Sequence, residues 1–172
     1  MSRPRLRRLV LCAVLCAVAL GIFVLEAQIP LPLPFPGIKL GLSNIVTLLA
    51  LALLGWKEAL GIVLGRVLLG NLLLGQPSAL LYALAGGLLS WLCMALLSRA
   101  LPKNQLWVCG VCGGIAHICA QMLVALAVTQ SPLLLWYLPL MLLCALATGL
   151  LTGTAAQLAY DRITKNRRNS ST

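Results

Sequence analysis

The sequence predicts an all-α integral membrane protein, a single bundle of six transmembrane helices built from residues 1–172. Three observations carry this. Hydrophobic residues make up 61% of the chain, and charged residues only 9%, against about 25% in a soluble domain. Mean hydropathy is +1.01. Apolar runs of membrane-crossing length alternate with short polar or Pro/Gly punctuation.

Taken in order, the expected helices cover about 9–27, 40–56, 58–75, 78–99, 105–129 and 133–160. The first begins after Arg3, Arg5, Arg7 and Arg8, which gives it the look of a signal peptide. Its apolar run, Leu9 to Leu25, is longer than a signal h-region, and Leu25-Glu26-Ala27 is a poor cleavage site, so it is read as a retained helix. The second is short and must start close to Lys39 to cross. The links after it hold Trp56-Lys57-Glu58, Gly75-Gln76-Pro77-Ser78, residues 99–104 and residues 129–132.

Between the first two helices, residues 28–38 carry Pro30, Pro32, Pro34 and Pro36 at every second position, then Gly37. Each proline lacks an N–H and disfavours helix at the residue before it. The stretch is apolar, extended and stiff, where a loop that only crossed water would be polar. Two readings stand: a lid or re-entrant cover over a membrane cavity, or a rigid turn between spans. The lid is the expectation.

Charge fixes an orientation. Arg3, Arg5, Arg7, Arg8, Lys57, Arg99, Lys103, Arg162, Lys165, Arg167 and Arg168 fall on one side, eleven of the thirteen basic residues. By the positive-inside rule that side is cytoplasmic, both termini included, and the Pro-rich segment faces outward. The protein is thus expected in the plasma or inner membrane as a multi-pass chain. The net charge of +10 then marks flanks that touch anionic lipid rather than a nucleic-acid surface.

Ionisable and amide groups inside a bilayer are costly and mark function by default. Arg66 lies about 12 Å deeper than Glu58 at 1.5 Å per residue, near the midplane, and Asn71 follows it outward. His117 and Gln121 are i, i+4 and share a helix face. Lys39 and Asn44 open the second helix, and Tyr137 lies in the outer part of the sixth. These seven residues fall between midplane and outer surface, whereas Glu26, Glu58 and Asp161 all lie near span ends. Such a distribution fits an outward-open cationic cavity for a neutral-polar or anionic small molecule. The bland alternative is that Arg66 caps helix carbonyls and His117–Gln121 tie helices together.

Small residues recur at four-residue spacing, as in Ala13/Ala17/Gly21, Gly110/Gly114 and Ala145/Gly149/Gly153, and let helix backbones approach closely. Most serve packing within the bundle; the first-helix ridge is a candidate contact for another membrane subunit. Seven cysteines all lie in apolar runs and read as small hydrophobes. Cys109 and Cys112 have redox or metal spacing with His117 nearby, but a zinc site wants a fourth ligand and polar support, so no metal and no cofactor is expected. No catalytic residue is assigned, because no paired carboxylates, nucleophile–base pair or P-loop is present.

Several runs resemble a known family: KLGLSNIVTL over 39–48, RVLLG over 66–70, AGGLLS over 85–90, Ala116-His117 with Gln121, and LPL over 138–140 with TGLLTG over 148–153. Over about residues 10–158 the chain resembles the Gx transporter family, also labelled heptaprenyl diphosphate synthase component I. That family is similar to the substrate-binding (S) components of energy-coupling factor transporters, six-helix proteins that bind a metabolite from outside and are driven by a coupling subunit and two ATPases. The resemblance implies pocket or lid roles for Lys39, Asn44, Arg66 and His117, and a coupling-subunit contact for Ala13 and Ala17. One departure is Ile118-Cys119-Ala120 before Gln121, where the family pattern has Asn and then Gly. The synthase label finds no residue support, since the chain has a single Asp. The expected function is a non-enzymatic substrate-binding membrane subunit for uptake of a small polar or anionic metabolite. The alternative is a non-transporting accessory subunit of an isoprenoid, quinone or redox system; an enzyme acting on a lipid diphosphate is the weakest reading.

Overall fold

The computed structural model describes residues 3–29 and 39–169. The lid candidates Pro30, Pro32, Pro34, Pro36 and Gly37 lie outside those residues. Among the described residues are six α-helices: α1 Arg3–Glu26, α2 Asn44–Leu53, α3 Trp56–Leu74, α4 Ala79–Ala100, α5 Leu106–Thr129 and α6 Leu138–Asn169. Short 3₁₀ turns, Lys103–Gln105 and Pro132–Tyr137, lead into α5 and α6.

Four helices, α1, α4, α5 and α6, are long and apolar enough to cross a bilayer. The third, α3, has 19 residues, or about 28 Å at 1.5 Å per residue, but carries Lys57, Glu58 and Arg66. Large aliphatic side chains line the outside, with Leu25, Leu72, Leu73, Leu143 and Leu151 all more than 60% exposed. That is the inverse of a water-facing surface. The protein is a multi-pass membrane protein.

The expected second helix differs most. In place of a helix over 40–56, α2 has ten residues, about 15 Å, half the hydrocarbon thickness. Glycines stop it at both ends: Gly41 has φ +82° and Gly55 φ +117°, values that favour glycine. This half-helix is central. All five other helices pack on it, and it buries Val46, Leu48, Ala50 and Leu51 against Leu15 and Ala19 of α1, Ile62 of α3 and Met94 of α4.

One end of the bundle is tied by polar contacts. Arg8 and Glu58 approach to 4.0 Å. Trp91 Nε1 donates to Trp56 O at 3.1 Å, their rings 6.3 Å apart. The Leu106 N–H donates to Gln157 Oε1, which holds α5 to α6. This is the end that carries the basic flanks. Glycines set the α5–α6 crossing: a Cβ on Gly149 would lie 2.8 Å from Val111 Cα, and one on Gly114 2.9 Å from Ala145 O. Those two backbones touch, so only hydrogen fits between them.

Candidate functional site

The break before α2 creates the site. Residues 39–43 form a non-helical elbow inside the bundle, with Lys39, Gly41 and Ser43 buried. Irregular backbone at membrane depth persists only where other groups satisfy it or where it lines a cavity. Here α1 and α5 supply acceptors to it, and α6 lies against it. The Gly41 N–H donates to Glu26 Oε1 at the end of α1. The Lys39 N–H donates to Gln121 Oε1 of α5 at 3.3 Å, and the Thr148 hydroxyl of α6, which donates to Cys144 O at 2.8 Å, lies 3.4 Å from Leu40 O.

Below the elbow, Arg66 of α3 donates from Nη2 to Asn44 Oδ1, the first residue of α2, at 3.0 Å. The His117 ring is held between two glycines. A Cβ on Gly86 would lie 2.8 Å from His117 Cε1, and one on Gly41 3.2 Å from its Cδ2. Bare backbone at those positions lets the imidazole pass between α4 and the elbow, which explains Gly86; its neighbour Gly87 faces Val63 of α3 instead. The Lys39 ammonium rests over the Phe23 ring, 3.2 Å from its centroid, a cation–π contact in place of hydrogen bonds.

These groups surround a cavity of about 10 Å³, room for about one water. Glu26, Lys39, Ser43, Arg66, His117 and Gln121 supply its polar wall, Phe23 and Ala83 its apolar one. Each of those six polar residues is 6% exposed or less. Among the described residues neither Lys39 nor Arg66 forms an ion pair within 4.0 Å with Glu26. Several buried polar atoms have no hydrogen-bond partner, among them Lys39 Nζ, Asn44 Nδ2, Arg66 Nε, Gln121 Nε2, Glu26 Oε2 and both nitrogens of His117. Most are donors. Native interiors seldom leave such groups unpaired, and here the unpaired groups gather around one cavity.

Of the residues singled out in the sequence, Lys39, Asn44, Arg66, His117 and Gln121 converge here. Asn71 is buried but donates to Val67 O of its own helix at 2.8 Å and does not line the cavity. Tyr137 is 40% exposed and stands apart from it. Ala13, Ala17 and Gly21 sit on the exposed face of α1, and a Cβ on Gly21 would meet nothing within 4 Å.

Sequence reading passed over Glu26, because its place at a span end suggested a solvated carboxylate. A carboxylate at a helix C-terminus opposes the helix dipole and needs an outside partner; that mismatch was the available signal. Ser43 and the two glycines against His117 were missed as well. The seven cysteines are free, with Cys109 fully buried. Among the described residues no group of three or more His, Cys, Asp or Glu is placed to hold a metal ion.

A multi-pass helical bundle with a polar cluster at a broken helix is the class that fold and site define. A family model described as heptaprenyl diphosphate synthase component I matches residues 15–159, and the chain belongs to that family. Comparison with curated proteins and with solved structures gave no match.

Proposed function

We propose that this chain is a membrane-embedded binding subunit that takes a small polar or anionic metabolite into the Lys39–Arg66–His117 cluster and works with partner subunits rather than as an enzyme. The observation that carries this reading is the set of unpartnered donors on buried Lys39, Asn44, Arg66 and Gln121. A polar network whose task was to hold helices together would pair its own members, since unpaired buried groups cost about 1–3 kcal/mol each. The cavity as it stands has room for about one water. A metabolite therefore enters as Lys39 and the 39–43 elbow draw outward, away from Phe23.

The resemblance to energy-coupling factor S components supports uptake, with a coupling subunit and ATPases as partners and the exposed Ala13/Ala17/Gly21 face of α1 as their contact. In that arrangement the cavity opens away from the basic end, and both termini face the cytoplasm of the cell membrane.

A second reading is favoured by the name of the matched family. That name describes one component of a prenyl diphosphate synthase, so an accessory membrane subunit of an isoprenoid or quinone system is the rival. Both readings give the chain a partner; they differ in which partner and in whether the cluster takes a metabolite. Thermal melting of the purified protein against a metabolite panel tests the binding reading. Stabilisation of native protein that disappears in Arg66→Met supports it. A flat response across the panel, together with co-purification of a soluble prenyl synthase subunit, favours the rival.

A further inference from the structure

The charge and hydrogen-bonding census of the cluster narrows the ligand, on the footing that the cluster binds one as proposed above. We infer that the ligand is a monoanionic carboxylate, received between Lys39 and Arg66 beside the N-terminus of α2.

Three independent features of the site lead there. The first is charge. Counted at formal charge, Lys39 and Arg66 each bring one positive unit to the cavity wall and Glu26 one negative, which leaves a formal excess of +1. The chain has only two other acidic residues, Glu58 and Asp161. Glu58 is at the basic end, facing Arg8, and Asp161 is exposed and accepts from Gln157. A ligand of charge −1 neutralises the buried set. A dianion overshoots, and a cation adds to the excess in a medium where uncompensated charge is costly.

The second feature is the balance of donors and acceptors. Lys39 Nζ, Arg66 Nε, Asn44 Nδ2 and Gln121 Nε2 can only donate, and all four are buried without a partner; Glu26 Oε2 is the acceptor-only atom beside them. One water, which makes two to four hydrogen bonds, does not satisfy this set. A carboxylate offers about four lone-pair sites to donors.

The third is the backbone field. The ten-residue helix α2 begins at Asn44 in this cluster, with its N-cap Ser43 on the cavity wall and the Ser43 hydroxyl unpartnered. Its positive dipole end therefore lies beside Arg66 and favours an anion through its field, the Asn44, Ile45 and Val46 N–H groups being already bonded to the carbonyls of Gly41, Leu42 and Ser43. Lys39 has no hydrogen-bond acceptor and leans on the Phe23 ring, so an arriving carboxylate provides the acceptor its ammonium lacks.

The test is a charge series on purified protein in nanodiscs, read as melting temperature and as Kd by calorimetry. The probes are metabolite-sized monocarboxylates, their neutral amides, phosphate monoesters as dianions, primary amines, and farnesyl diphosphate. The expected result is stabilisation by one or more monocarboxylates with affinity at least about tenfold above the matched amide, and a preference in Glu26→Gln that moves towards the dianions, because the cavity then carries two uncompensated charges. Equal or better binding of amides, amines or dianions by the native protein overturns the inference and leaves the binding reading standing. Tight binding of farnesyl diphosphate overturns it in favour of the isoprenoid reading. No response to any probe, with no small molecule retained through purification, overturns the inference together with the binding reading.

Discussion

Arg66 on α3 donates from Nη2 to Oδ1 of Asn44, the first residue of α2, at 3.0 Å and with both side chains buried. That bond joins the middle of a long helix to the start of the half-helix at the centre of the bundle. It leaves Arg66 Nε buried without a partner.

Arg66→Met separates a binding role from a bracing one. The substitution strands Asn44 Oδ1, at a cost of about 1–3 kcal/mol. It also removes a buried cation that no ion pair compensates, which offsets that cost. The ligand-free melting temperature should therefore stay within about 5 °C of native. Metabolite affinity should fall about 10- to 150-fold, because a charge-assisted contact worth about 1.5–3 kcal/mol is lost. Calorimetry and melting on the same preparation check this. A collapse in ligand-free stability would make Arg66 a structural brace.

Glu26 fixes the elbow through its bond from the Gly41 N–H. Glu26→Ala leaves that N–H unpaired and should cost about 1–3 kcal/mol. Glu26→Gln keeps an acceptor in place and should cost less. Denaturant unfolding in mixed micelles should thus rank native above Gln above Ala. Equal losses for the two variants would show that charge, not the Gly41 contact, is what matters at this position.

Two sets of small residues should respond in opposite ways. Val at Gly149 drives its Cβ into Val111 Cα, 2.8 Å away and immobile because it is backbone. Gly149→Val should part α5 from α6 and lower the melting temperature sharply. A Cβ on Gly21 meets nothing within 4 Å, and Ala17 shares that exposed face. Gly21→Leu and Ala17→Leu should leave melting and metabolite binding near native while partner subunits are lost from pull-downs. If Ala17→Leu destabilises the isolated chain and partner recovery is unchanged, the α1 face is internal packing.

Orientation is checked by labelling. Gln28→Cys should react with an impermeant maleimide in intact cells, above the background of native protein. Ser171→Cys should react only after lysis. The reverse pattern would contradict an outward-facing elbow.

Much of this architecture was legible in the residues, because lipid as solvent imposes long apolar runs that hydropathy reads directly. Expected bounds for α3, α4 and α5 fall within about two residues of those observed. Arg66, His117 and Gln121 stood out because polar groups are rare in such runs. The length of α2 was not legible from hydropathy. Residues 40–43 continue the apolar run of α2 without a charge, and only the conformation of Gly41 reveals the break. Glu26 was hidden for a related reason: depth counted along α1 puts it at a helix end, whereas the elbow folds back into the bundle and brings Gly41 to it. The helical extensions of α1 back to Arg3 and of α6 on to Asn169 escaped notice because Lys and Arg favour helix yet end a hydropathy run. Tyr137 was expected within a sixth helix over 133–160, but it ends the 3₁₀ turn Pro132–Tyr137 that precedes α6, and is exposed there.

The central claim, that the Lys39–Arg66–His117 cluster holds a small molecule, is tested most directly by native mass spectrometry of the protein released gently from its own membrane. Native protein should carry a bound metabolite that is absent from Arg66→Met purified in parallel and equally folded. Native protein that flies with no adduct, or an adduct retained unchanged by Arg66→Met, would contradict it.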